Sequence, residues 1–350
     1  MKIIQIIDSL KIGGSERMAV NISNILQEEK HQVYLIATRA YGPLLKKVNS
    51  NVKIINLNKK NSFDFLAFYR LFRLIKKINP QIIHAHSTSI IWIGFLSKII
   101  KKKYQLIFHD HYGSGISEER KLLKSISSAI DSIISVNDDL KQWAIKNLNI
   151  KKNCVHYIPN FPLFIKQNKI KIIKQNLICC LANLRIEKDH HSLVKAMDLI
   201  INKYNKNVRL VLVGNFFKDN YCNSLLDLIK MKKLQNHIEI MGSVDNVEEV
   251  LLRCKIGVLS SQIEGLPVSL LEYGLARMAV VATDVGQCSK VLGYGEYGKI
   301  VSPGKYQELA NAILQFLNDD SFTEKMACNF QKHIENNYSS KNFLKNYYNI

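Results

Sequence analysis

Glu264-Gly-Leu-Pro-Val-Ser-Leu-Leu-Glu272 follows an apolar, strand-like run, Ile256-Gly-Val-Leu-Ser-Ser261, and leads into a helical pattern, Leu270-Leu-Glu-Tyr-Gly-Leu-Ala276. This order places a short turn at the carboxyl end of a strand, where open α/β sheets bind ligands. Pro267 suits the first helical position, because its ring presets φ and its missing N–H would be unpaired there in any case. Glu264 then stands in the loop before the helix and Glu272 in its second turn. Between them, around Gly265, Leu266 and Pro267, free N–H groups and the positive dipole end of the helix can receive a phosphate. A carboxylate at each end can hold sugar or ribose hydroxyls.

Outward from this turn, strand-like runs alternate with helical patterns along the whole chain, which predicts the α/β class with parallel sheets. Met1-Lys-Ile-Ile-Gln-Ile-Ile-Asp8 reads as a first buried strand. Gly13-Gly14 is expected to form a tight loop, where missing side chains let backbone approach a ligand, and Ser15 to cap a helix running to about Glu29. Phe65 to Ile78 reads as an amphipathic helix carrying Arg70, Arg73, Lys76 and Lys77. Ile82-Ile-His-Ala-His86 is the next strand, followed by a helix over 87–100 that ends in Lys101-Lys-Lys103. Leu106-Ile-Phe-His109-Asp-His-Tyr-Gly113 is a strand running into a loop. Extended chain there is read as sending His109 and His111 to opposite sides, which argues against a metal site. Pro159-Asn-Phe-Pro162 marks a rigid linker. After strand 178–181, Arg185 and Lys188 can hold a pyrophosphate, Arg by its bidentate fork and Lys as a point charge. Gly293-Tyr-Gly-Glu-Tyr-Gly298 spells a dinucleotide fingerprint but precedes a strand instead of following one, so it reads as a turn.

A chain of 350 residues is too long for one ordinary core, so two domains are expected. Its seven Cys show no zinc-ligand spacing and offer no disulfide framework, which fits a reducing cytosol. The longest apolar stretch, over 90–100, falls short of the ~20 residues a membrane span needs. Net charge is +20 and uneven, with 25 Lys+Arg against 11 Asp+Glu in residues 1–160, a net of +14. Lysine-rich composition accounts for part of it, and an anionic surface is the partner such asymmetry suggests.

The segment from Glu264 to Glu272 resembles the E-x7-E motif of retaining GT-B glycosyltransferases, in particular family 4. Ala182-Asn-Leu-Arg-Ile-Glu-Lys-Asp-His190 is similar to that family's phosphate-binding loop. Val211-Leu-Val-Gly214, Ile240-Met-Gly242 and Ala279-Val-Val-Ala-Thr-Asp-Val-Gly286 resemble its successive strands and turns, and Gly13-Gly14 its first amino-terminal loop. Two departures stand out: Asn183 occupies the position where an Arg is usual, so that Arg185 would substitute, and Lys290 stands where an acidic residue is usual.

The resemblance implies two Rossmann-like domains facing a cleft, 1–162 on the acceptor side and 163–336 holding the donor, with a last helix over about 337–350 packing back on the first. It implies glycosyl transfer, with retention of configuration, from a nucleotide-sugar donor, UDP- or GDP-linked, to a hydroxyl of a glycan or lipid-linked acceptor, as in cell-surface polysaccharide synthesis. Lys188, Arg185 and the helix after Pro267 would meet the diphosphate, Glu272 the ribose, and Glu264 the donor sugar. A family histidine faces the sugar at the strand exit; His109 is the choice for it, with His111 the alternative under a two-residue shift. No D-x-D occurs in the chain, so neither metal nor other cofactor is expected. The expected location is cytoplasmic, peripheral on the inner membrane face. Nucleic acid is not an expected partner, because the basic segments lack an aromatic stacking platform. The alternatives are a catalytically inactive basic binding or scaffold protein, disfavoured because Lys188, Glu264 and Glu272 stand in place, and another GT-B enzyme such as a sugar-nucleotide epimerase.

Overall fold

Apolar runs rich in Ile and Val make the inner strands of this protein, and the strand pairs among the described residues are all parallel, as near-continuous apolar runs favour. The computed structural model describes residues 1–100, 102–111, 120–163 and 174–350; Lys101, Tyr112 and Gly113 lie outside the described residues. The chain divides into one unit of Met1–Asn160 with Ser340–Ile350 and a second of Phe161–Ser339.

In the first unit β1 (Lys2–Ser9), α1 (Gly14–Glu28), β2 (Gln32–Ala40), β3 (Lys53–Asn56), α2 (Phe65–Ile78), β4 (Ile82–His86), α3 (Ser89–Ile99), β5 (Gln105–Asp110), α4 (Lys121–Ile126), β6 (Ser132–Ser135), α5 (Asp138–Asn147) and β7 (Val155–Tyr157) follow in order. Its seven strands lie in the order β3-β2-β1-β4-β5-β6-β7. The helix starts follow local chemistry. Asp64 Oδ1 accepts from the Ala67 N–H at 2.9 Å to start α2, and Asn137 Oδ1 from the Leu140 N–H at 2.7 Å to start α5. The start of α1 differs from expectation. Gly13 is its cap residue, extended at φ −169°, and Ser15 lies inside the helix with its hydroxyl on Glu16 Oε2 at 2.9 Å. The glycine pair therefore delivers the chain straight into the helix.

In the second unit β8 (Gln175–Leu181), α6 (His190–Asp198), β9 (Arg209–Val213), α7 (Asn220–Met231), β10 (Ile238–Gly242), α8 (Val247–Arg253), β11 (Cys254–Leu259), α9 (Val268–Leu275), β12 (Ala279–Thr283), α10 (Cys288–Val291), β13 (Lys299–Val301), α11 (Tyr306–Asn318) and α12 (Asp320–Asn337) build a six-stranded sheet ordered β10-β9-β8-β11-β12-β13. In both sheets the strand that comes first in the sequence sits inside the sheet and the order reverses beside it, the pattern of Rossmann-like folds. The last helix, α13 (Ser340–Tyr347), belongs to the first unit.

Sheet register fixes the two faces of the first unit. Ile4 and Ile6 of β1 lie beside Ile83 and Ala85 of β4, which lie beside Leu106 and Phe108 of β5, and this row packs under α2, α3, α4 and α5. The alternating residues Gln5, His84, His86 and His109 point to the opposite face, as the two-residue strand period dictates.

Candidate active site

In the second unit the turn after β11 is built by hydrogen bonds from three directions. Lys188 Nζ donates to Glu264 Oε1 at 2.7 Å, and the Ser261 hydroxyl donates to the same oxygen at 2.7 Å. Ser260 donates to the Lys188 carbonyl at 2.9 Å, so the loop after β8 and the end of β11 are tied together. The amide of Gln287 donates to the Gly265 carbonyl at 2.9 Å. Gly286 sits at φ +55°, and a Cβ there would lie 2.3 Å from the Glu264 carbonyl oxygen, so only glycine lets these loops close.

Pro267 is the cap residue of α9 and not its first helical residue: its ψ of 119° is extended, and the helix begins at Val268. No side chain caps that end. The Leu270 N–H donates to the Pro267 carbonyl at 3.2 Å, and the positive end of the helix dipole lies beside a carboxylate already held by a lysine. Glu264 and Glu272 are 7% and 5% exposed, burial that carboxylates tolerate only when bonded. Asn183 Oδ1 accepts from the Asn215 N–H at 3.0 Å, fastening the neighbouring strand ends. Arg185 is more than half exposed and lies over the Phe217 ring at 5.0 Å, so this cation stands outside the Lys188–Glu264 pair.

In the first unit the expectation for His109 and His111 is corrected. Residues two apart on extended chain share a side, and the two rings stack with centroids 3.9 Å apart. They join His84 and His86 in a buried group of four. His84 Nε2 lies 3.2 Å from His109 Nδ1, His86 Nδ1 lies 3.0 Å from His111 Nε2, and His86 Nε2 lies 2.7 Å from Gln5 Oε1. Since the Gln5 oxygen only accepts, His86 carries its proton on Nε2, and His111 Nε2–H donates to His86 Nδ1. His111 Nδ1 is then an acceptor, buried and without a hydrogen-bond partner among the described residues.

Tyr347 of α13 stacks on His84 at 5.4 Å and Phe343 on His109 at 6.3 Å, closing the group from the helix side. Burial pushes His84 and His111 down to about 3 and His86 and His109 well below the ordinary range, with neighbouring imidazoles adding to the effect on His84, His86 and His109. One nitrogen each of His84, His86 and His109 falls within 4.8 Å of the others. The rings of His84 and His86 are stacked, 18° from parallel and 4.5 Å apart, so their in-plane lone pairs run along separate lines. The hydrogen bonds form two separate pairs, His84 with His109 and His86 with His111, the second continuing to Gln5. His109 sits inside the sheet face, whereas His111 is the first residue beyond β5, at the carboxyl edge. Gly13 and Gly14 lie at the same edge after β1, and a Cβ on Gly14 would meet nothing within 4 Å.

A family model for glycosyl transferases group 1 matches residues 163–333, and one for glycosyltransferase family 4 matches residues 12–161. The chain belongs to this glycosyltransferase family. A Campylobacter jejuni relative, named GalNAc-alpha-(1->4)-GalNAc-alpha-(1->3)-diNAcBac-PP-undecaprenol alpha-1,4-N-acetyl-D-galactosaminyltransferase, is 25% identical over 99% of this chain and 98% of its own. The capsular polysaccharide biosynthesis glycosyltransferase CapH of Staphylococcus aureus is 22% identical over 84% of each chain. Among solved structures, Anabaena Alr3699/HepE in complex with UDP and glucose superposes with a TM-score of 0.83 at 18% identity, covering 100% of this chain and 98% of that one. The fold is thus that of the GT-B glycosyltransferases, two parallel-sheet Rossmann-like units.

For this glycosyltransferase, the sequence singles out Lys188, Glu264 and Glu272 as candidates but does not show that the first two are bonded partners. His84 and His86 are not among those candidates, although His-x-His at a strand end signals two rings on one face. Nor is Ser261, whose hydroxyl orients Glu264. No helix among the described residues is long and apolar enough to cross a membrane.

Proposed function

We propose that this glycosyltransferase moves a sugar from a nucleotide-sugar donor to a hydroxyl of a glycan or lipid-linked acceptor, with retention of configuration and without a metal ion. The observation that carries the donor side is the Lys188–Glu264 pair at the uncapped start of α9. As the bond from the anomeric carbon to the diphosphate breaks, negative charge gathers on the leaving diphosphate. Lys188 and the α9 amides meet that charge, with the exposed Arg185 as a second cation, which is the work a divalent ion does elsewhere. Glu264, once its lysine turns to phosphate, accepts hydrogen bonds from the donor sugar, and Glu272 from the ribose.

The Campylobacter relative's name, with its undecaprenol-diphosphate acceptor, and the capsular name of the Staphylococcus relative support a glycan or lipid-linked acceptor. The Anabaena complexes with UDP and with UDP-glucose support a uridine donor over GDP. On the acceptor side His109 is the sugar-facing histidine, and His111, nearer the strand exit, competes for the role. Working beside a membrane-borne acceptor fits a protein peripheral to the inner membrane face.

The test is turnover: purified protein incubated with UDP-, GDP- and ADP-sugars, followed by release of nucleoside diphosphate and by the anomeric proton of the product. Release of UDP with an axial product linkage from an axial donor is expected. Inversion would reject retention, and epimerised nucleotide-sugar without any transfer would reject the reaction itself. Whichever of His109→Ala and His111→Ala costs more turnover at unchanged UDP affinity identifies the histidine.

A further inference from the structure

The two histidine pairs of the first unit differ in character. In the pair of His84 with His109 the outer nitrogens, His84 Nδ1 and His109 Nε2, are buried without a hydrogen-bond partner among the described residues. No group of fixed polarity among those residues bonds this pair, so its shared proton can sit on either ring. Tyr347 and Phe343 of α13 lie on its two rings. The pair of His86 with His111 ends on Gln5 instead, whose Oε1 lies 2.7 Å from His86 Nε2. An amide oxygen only accepts, so this pair has a direction that the other lacks.

Gln5 is an unexpected occupant of its place. It is fully buried in β1 between Ile4 and Ile6, inside the sheet. An amide there costs free energy unless bonded, and Ile or Leu would add to the core. Its oxygen reaches past its register partner His84 to His86. The consequence appears at the strand end. With His86 protonated on Nε2, His86 Nδ1 accepts from His111 Nε2–H, and His111 Nδ1 keeps its lone pair. That nitrogen is buried and has no hydrogen-bond partner among the described residues. Burial pushes the ring down to about 3, so it stays neutral and the lone pair persists at neutral pH. A bare acceptor repels carboxylate and phosphate oxygens, which bring no proton, and takes an O–H. His111 is the first residue beyond β5, at the carboxyl edge where open α/β sheets bind ligands.

We infer that Gln5 and His86 are positioning residues, which together keep the His111 proton on Nε2 so that His111 Nδ1 accepts a hydrogen bond from a sugar hydroxyl bound at this edge. The inference rests on the reading of sugar transfer and goes past the choice of a histidine, because it names the residues that set its proton. Ring protonation is read without substrate, so a wrong tautomer and a wrong reaction give different results.

NMR of the full chain with ¹⁵N-labelled histidine rings reads the proton directly, His111 being assigned by its loss in His111→Ala. In the parent without ligand, Nε2 is expected to be protonated and Nδ1 bare. Gln5→Leu removes the amide oxygen and leaves His111 divided between both tautomers. His86→Phe keeps a ring but removes the bond to His111, and His86→Asn returns an amide oxygen to the place of Nδ1. With the UDP-sugar that the parent uses fastest, His86→Phe and Gln5→Leu are expected to lower kcat/KM about tenfold or more at unchanged UDP affinity, and His86→Asn to recover most of that loss. A purely structural role would move the melting temperature of these variants without dividing Phe from Asn. The parent spectrum and Gln5→Leu carry the test if His86→Phe does not fold. His111 protonated on Nδ1 in the parent, an unchanged tautomer in Gln5→Leu, or equal turnover in His86→Phe and His86→Asn would each overturn the inference. Absence of any sugar transfer by the parent overturns the role of Nδ1 together with the reaction, whichever tautomer is found.

Discussion

Lys188 Nζ and Glu264 Oε1 are 2.7 Å apart, with the Glu264 carboxylate nearly buried and the lysine about a quarter exposed. The two residues thus hold each other, in a site where the proposed reaction would use both for the donor. Neither partner is left as a bare buried charge, which would be costly. In the proposed reaction an incoming diphosphate would exchange one anion for another at the ammonium, and the carboxylate would pass to the sugar hydroxyls.

Removing the cation therefore has two consequences. Lys188→Ala is expected to weaken the binding of a nucleoside diphosphate by roughly 10- to 150-fold, the worth of a charge-assisted hydrogen bond of about 1.5–3 kcal/mol. It also strands the Glu264 carboxylate, so the variant melts earlier than the parent. Calorimetric titration with UDP checks the first effect; unchanged affinity would remove Lys188 from the phosphate site.

The two carboxylates separate by ligand. On the proposed assignment of Glu272 to the ribose, Glu272→Gln is expected to weaken nucleoside-diphosphate binding, whereas Glu264→Gln is expected to leave that binding intact or tighten it by releasing Lys188, and to depress turnover. Equal loss of UDP affinity in both variants would show that sugar and ribose are not divided between them.

How much of this was legible in the sequence depends on range. Strand and helix order followed from periodicity, and the start of α9 from Pro267 to within one residue. The cap of α1 did not, because Ser15 competes with a glycine that takes the extended cap position itself. The Lys188–Glu264 bond joins residues 76 apart in sequence, and only the pairing of β8 with β11 brings them together. The histidine orientation was a mistake of period: His109 and His111 share a side, and β4 supplies two more rings only because His86 stands opposite His109 in register.

The proposed metal independence rests on where the positive charge comes from. If Lys188 and the α9 amides take the place of a divalent ion, transfer with a UDP-sugar is expected to survive excess EDTA. Loss of more than about nine-tenths of the rate, restored by Mg²⁺ or Mn²⁺, would mean that these groups do not suffice to stabilise the leaving diphosphate.

Acid should unfold the first unit from its histidine group outward. His84 and His111 are held down at about 3 against an ordinary value of 6.5, because burial disfavours the charged ring. Between those limits the unfolded chain binds more protons than the folded one, so stability falls as pH falls. The contribution of the neutral rings is complete above about pH 6.5 and is lost progressively below it. At its steepest the loss is roughly 1.4 kcal/mol per pH unit for each ring, so these two remove up to roughly 3 kcal/mol per unit. The chain's two tryptophans, Trp92 and Trp143, both lie in the first unit, so their fluorescence follows its unfolding alone. Melting should shift steeply downward from pH 7 to pH 5 in the parent. In His84→Phe, which keeps a ring against Tyr347 and removes one titrating site, the shift should be shallower by about 1.4 kcal/mol per pH unit. Parallel pH profiles for parent and variant would show that the cluster does not set the acid limit of this unit.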